Sequence, residues 1–190
     1  MIPQLVIGSS VLRWTVNVAL VVPALVLQVT LLPHLAPEAL GHGVVPNLCL
    51  LVVVGAALVR GPEQGALLGF VAGVLLDLAP PADHVAGRWA LALVVVGYVA
   101  GRMRPEAGAA GAGDTKPSVG AVVATVAVAS FVGTSIYAIS GLLLQDPVGS
   151  IGDLLPVILA GVLWDVLLTP FVLPVVMRLF VALEPGQAPA

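Results

Sequence analysis

Long apolar runs, each closed by charged residues or by glycine and proline, follow one another along nearly the whole chain. Six such segments can be placed, at about 14–33, 44–59, 64–80, 87–101, 119–144 and 154–182. Runs of this kind predict membrane-crossing helices, since ~20 apolar residues span a ~30 Å hydrocarbon core. Three breaks stand out. Arg60-Gly61-Pro62-Glu63 is a tight turn, because proline cannot continue a preceding helix. Residues 102–118 form the longest polar stretch, rich in Gly and Ala, and read as a flexible cytoplasmic loop. Residues 145–153 make a short acidic loop.

Alternating the six segments across a bilayer puts Arg13, Arg60, Arg102, Arg104, Lys116 and Arg178 on one side and only Arg88 on the other. The positive-inside rule makes the crowded side the cytoplasm, with both termini inside. Glu38, Asp83, Asp146 and Asp153 then fall in outer loops. The second to fourth segments run only about 15–17 residues, so four spans plus a re-entrant hairpin within 44–80 is the alternative arrangement.

Composition agrees with this pattern. The chain has 190 residues, 59% hydrophobic and 9% charged, against about 25% charged in soluble domains. Its mean hydropathy of +1.13 places most of the protein in lipid, as one transmembrane domain over residues 1–190. The net charge of −3 carries no nucleic-acid signal. The single cysteine, Cys49, excludes an internal disulfide framework and reads as a small buried hydrophobe. Arg13 followed by an apolar stretch resembles a secretory signal, but the stretch is long and no small-residue cleavage site follows, so it reads as a retained span.

Polar residues inside the spans fall beside small ones. Gly65, Gly69, Gly73 and Asp77 are spaced by four and share one helix face. Gly161, Asp165 and Thr169 form a similar row, Gly97 and Gly101 another, and Ser130, Thr134 and Ala138 a fourth. In the first span Asn17, Ala24 and Gln28 share a face. Small residues let helices approach closely in lipid, so these rows predict packing or partner-contact faces.

The two aspartates lie in near-repeats, AGVLLDL at 72–78 and AGVLWDV at 160–166. A carboxylate at mid-bilayer costs about 2.5–3.5 kcal/mol on insertion scales, so each needs a reason. Asp77 lies near the end of its helix and is expected to cap or anchor it. Asp165 lies at mid-depth with no Lys, Arg or His at its level, and is expected to hydrogen-bond a neighbouring helix. His34, His42 and His84 fall in outer loops with an incomplete ligand set, so no metal site is expected. No constellation for nucleophilic catalysis and no phosphate-binding loop is present in the sequence. No catalytic residue, cofactor or metal is therefore assigned.

Residues 46–102 carry a set of motifs in order: Pro46-Asn47-Leu48, the turn Arg60-Gly61-Pro62, the helix Gly69-Phe70 to Gly73 and Asp77, and Gly97-Tyr98 to Gly101-Arg102. In this order and spacing they resemble the MreD family of rod-shape-determining membrane proteins. Asn47 departs from the pattern, where an acid is usual. The resemblance implies an all-α integral membrane protein, a compact bundle of six transmembrane helices similar in fold to the S-components of energy-coupling-factor transporters. It also implies a non-catalytic role in the bacterial cell-elongation (rod) complex at the cytoplasmic membrane, supporting peptidoglycan synthesis and cell shape. Its partners would be an MreC-like bitopic protein, a RodA-type glycosyltransferase, a class B penicillin-binding transpeptidase and the actin-like MreB. The competing expectation is an S-component-like solute-binding subunit of a transporter. That role needs polar and aromatic groups converging on an outward pocket. Trp89 beside Arg88 is the one such neighbour in the sequence, and a Trp near a span end is ordinarily an interface anchor.

Overall fold

The structure is a computed structural model, and it describes residues 3–35, 45–80, 85–104, 118–144 and 151–182. Among the described residues seven helices follow one another: α1 (Pro3–Thr30), α2 (Leu32–Leu35), α3 (Leu48–Arg60), α4 (Pro62–Leu78), α5 (Arg88–Arg102), α6 (Val119–Leu143) and α7 (Ile151–Ala182). Glu38, His42, Asp83, His84, Lys116 and Asp146, expected in loops, lie outside the described residues, as does most of the expected cytoplasmic loop. His34 is not in a loop: it sits in the single turn of α2, where Nδ1 lies 2.8 Å from the Thr30 carbonyl oxygen.

Helix boundaries follow local chemistry. Asn47 caps α3 by accepting the Leu50 N–H at 2.9 Å, and Ser118 caps α6 by accepting the Ala121 N–H, as side-chain oxygens at such positions do. Between α3 and α4, Gly61 adopts φ 91° and Pro62 takes the first helical position. Only glycine adopts that φ without strain, and proline's missing N–H would have been unpaired there in any case. Helix α7 already begins at Ile151, inside the stretch expected as the acidic loop, whose residues 145–150 lie outside the described ones.

Among the described residues three helices are long and apolar enough to cross a membrane: α1 over Asn17–Thr30 running on through α2 to His34, α6 over Val119–Leu143, and α7 over Leu154–Ala182. They mark a membrane protein. Only 17%, 28% and 17% of these stretches is buried within the protein; the rest, including Leu159, Leu163 and Phe171, faces outward. The other three are shorter. At 1.5 Å rise per residue, the 13 residues of α3 extend about 20 Å, and the 15 and 17 residues of α5 and α4 about 22–26 Å. None reaches ~30 Å alone.

The short helices make the core. In α3 every residue from Cys49 to Leu58 is buried, and α1, α4, α5, α6 and α7 all pack against it. The expected burial of Cys49 is met, with none of its surface exposed. An uninterrupted apolar helix of this kind is what a position surrounded on all sides requires.

The closest pairing joins α4 to α5. A Cβ added at Gly65 would lie 2.5 Å from the Gly97 carbonyl oxygen, one at Gly69 would overlap the Leu93 carbonyl, and one at Gly73 would overlap Ala90. From the other side, a Cβ at Gly97 would overlap Gly65 and one at Gly101 would overlap Pro62. The two helices thus touch backbone to backbone along their whole length, which only rows of small residues permit.

Candidate functional site

Both aspartates of the near-repeats are buried, Asp77 4% and Asp165 1% exposed, and each meets the start of a short helix. Asp77 ends the glycine face of α4 and accepts three N–H groups at the start of α5. Oδ2 accepts from Gly87 at 2.8 Å and Ala90 at 3.1 Å, and Oδ1 from Trp89 at 3.1 Å. The first N–H groups of a helix have no partner within it, and the positive end of the helix dipole favours an acidic group there. The sequence suggested an end-capping role; the structure makes the capped helix α5 rather than Asp77's own.

Asp165 sits at the start of α3. Its Oδ1 accepts the Asn47 N–H at 2.7 Å, and its Oδ2 accepts the Ser130 hydroxyl of α6 at 2.6 Å. The expected helix partner is therefore double, from α3 and α6. Beside it the Gln28 side-chain oxygen, from α1, accepts the Cys49 N–H at 3.0 Å. Three helices, α1, α6 and α7, thus converge on the start of α3, whose N–H groups would otherwise be unpaired in an apolar interior at about 1–3 kcal/mol each. Thr169, 2% exposed, donates to the Asp165 carbonyl one turn back in α7. This is the bond that a helical threonine hydroxyl makes to the carbonyl four residues back.

Asn47 stands at the centre of this junction. An acid at 47 would cap α3 equally well, but it would stand against Asp165 with no cation between them. Two neighbouring carboxylates disfavour each other's charge, and an asparagine keeps the capping oxygen without that conflict. Its Nδ2, buried, has no hydrogen-bond partner among the described residues.

The predicted rows separate into distinct tasks. Gly65, Gly69, Gly73, Gly97 and Gly101 all lie in the α4–α5 contact. Asp77 terminates it, and Asp165 and Thr169 belong to the α3–α6–α7 junction with Gly161 one turn away. The structure does not bring the two aspartates to one site: their partners are the starts of different helices.

Two clusters went unread in the sequence. Arg88, expected at an outer loop, is the first residue of α5 and only 4% exposed. Its Nη2 donates to the Tyr137 carbonyl at 2.8 Å and its Nε to Ser140 Oγ at 3.3 Å, while the guanidinium lies 3.9 Å from the Tyr137 ring centre. Trp89, expected as an interface anchor, stacks on the same ring at 4.3 Å. Gly141 makes the room, since a Cβ there would overlap Arg88 Nη2. At the opposite end of α3, Arg60 donates to Asn17 of α1 at 2.5 Å and lies 4.8 Å over the Phe180 ring of α7. The one signal available for Arg88 was its position as the sole basic residue away from the charged side.

No protein-family model, curated protein or solved structure matches this chain.

Proposed function

We propose that this protein is a non-catalytic scaffold of the bacterial cell-elongation complex, a six-pass protein of the cytoplasmic membrane with both termini inside. In this reading it pairs with an MreC-like bitopic protein. Through that protein it supports a RodA-type glycosyltransferase, a class B penicillin-binding transpeptidase and MreB. The observation that carries the reading is the use made of residues 46–102. Most of the motif residues that suggested the family have a packing or capping task in the α3–α4–α5 unit: Asn47 as cap, Gly61-Pro62 as turn, the glycines as contact and Asp77 as cap of α5, while Phe70, Tyr98 and Arg102 lie exposed on its outside. A rigid inner unit of this kind leaves the long helices α1, α6 and α7 to present outward apolar faces to lipid and to neighbouring helices.

The test is affinity purification of the tagged full chain from a rod-shaped bacterium in mild detergent. Co-purification of an MreC-like bitopic protein at near-equal amount is expected. Recovery of transporter ATPase subunits in its place refutes the reading.

A further inference from the structure

A cavity of about 320 Å³ opens between α1, α5, α6, α7 and the start of α3. It equals roughly ten water volumes at ~30 Å³ each, and it sits at the lower end of the ~300–1,000 Å³ range of small-molecule sites. Its walls are mainly apolar, from residues such as Val157 and Ile158, with Trp89 and Tyr137 supplying aromatic surface. The polar groups on it are few: the side chains of Gln28, Asn47, Thr134 and Asp165, with the phenol of Tyr137 and the indole N–H of Trp89.

Most of these polar groups are already engaged. Gln28 Oε1 accepts from Cys49, both Asp165 oxygens accept hydrogen bonds, and the Thr134 hydroxyl donates to the Ser130 carbonyl at 2.7 Å. Asn47 differs. It is 5% exposed, its Oδ1 is held by the Leu50 N–H, and its Nδ2 lacks a partner among the described residues. A buried donor left unmade is costly, and an acceptor brought to it recovers that loss.

We propose that this cavity is a binding site for a small neutral molecule. It would have a flat apolar body, set among the aromatic and aliphatic walls, and one carbonyl or hydroxyl oxygen to accept from Asn47 Nδ2. An anion would meet Asp165. A cation would find only that acid, whose oxygens are already committed to Asn47 and Ser130, and would lose its hydration. The site is independent of the partners proposed above, because it is formed wholly within the bundle.

The test uses the full chain in lipid nanodiscs with Trp14 and Trp164 replaced by Phe, leaving Trp89 as the only indole. Benzamide serves as the probe, since it combines one ring with a carbonyl acceptor. Saturable quenching of Trp89, with saturation-transfer NMR signals absent from empty nanodiscs, is expected. Filling the cavity by Ile158→Phe or Ala138→Leu should weaken binding by about tenfold or more. Asn47→Ser keeps a capping oxygen but removes the amide donor, and should weaken benzamide by roughly tenfold, the worth of one hydrogen bond. Each variant is first shown to elute as a single species with an unchanged melting temperature. Signals that only rise linearly with benzamide, as in empty nanodiscs, overturn the site. Saturable binding indifferent to both filling variants overturns its location, and binding indifferent to Asn47→Ser overturns the role of the amide.

Discussion

Replacing Asp77 tests whether one side chain holds the inner unit together. Asp77 lies in the last turn of α4, where the negative end of its own helix dipole disfavours an acid by about 0.3–1 kcal/mol. Against that stand three N–H groups of α5 that it accepts. Gly87 is exposed and can turn to water, whereas Trp89 is half-buried and Ala90 is buried. Two donors left unpaired at about 1–3 kcal/mol each place the loss for Asp77→Ala at roughly 2–6 kcal/mol. The capping gain therefore exceeds the dipole penalty. Asp77→Asn keeps one acceptor oxygen and should lose about half as much. The measurement is unfolding of each variant in mixed micelles by titration with SDS, followed by far-ultraviolet circular dichroism and tryptophan emission. The order wild type, Asn, Ala is expected. If both variants unfold within about 0.5 kcal/mol of wild type, the range of ordinary surface substitutions, these N–H groups have other partners and the argument fails.

Three further outcomes follow from the same contacts. Gly69→Ala should destabilise by about 1–3 kcal/mol although alanine is the better helix former by ~1 kcal/mol, because the added methyl meets the Leu93 backbone; Gly120→Ala, with open space around it, should not. Comparing the two by the same SDS titration isolates the contact from propensity. Asp165→Leu leaves the Asn47 N–H and the Ser130 hydroxyl unpaired and should cost roughly 2–6 kcal/mol. Asp165→Asn can accept from Asn47 and donate to Ser130 Oγ, so it should cost only about 1 kcal/mol; equal losses in thermal unfolding would assign Asp165 a role that requires its acid. Reporter fusions at Gly111 and Val148 should read cytoplasmic and external respectively; the reverse pattern would sink the proposed orientation, and the same side for both would sink the fifth span.

What the sequence determined by itself was local. Helix positions, the Gly61-Pro62 turn and the small-residue faces are set by hydrophobic run length, backbone restriction and a 3.6-residue period, and these act over a few residues. A row such as Gly65, Gly69 and Gly73 therefore announces that some helix approaches there. It does not say which, since any close-packing backbone would fit. Only the tertiary structure decided that the partner is α5, in a register setting Gly65 against Gly97 and Gly73 against Ala90. The same holds for the aspartates. Their cost in lipid made a partner necessary, but the partners are backbone N–H groups, which every residue but proline carries and which leave no mark in composition. Arg88 went unread for a related reason. Its burial depends on the Tyr137 carbonyl, Ser140 and the space beside Gly141, all roughly fifty residues away along the chain and brought close only by the packing of α5 on α6.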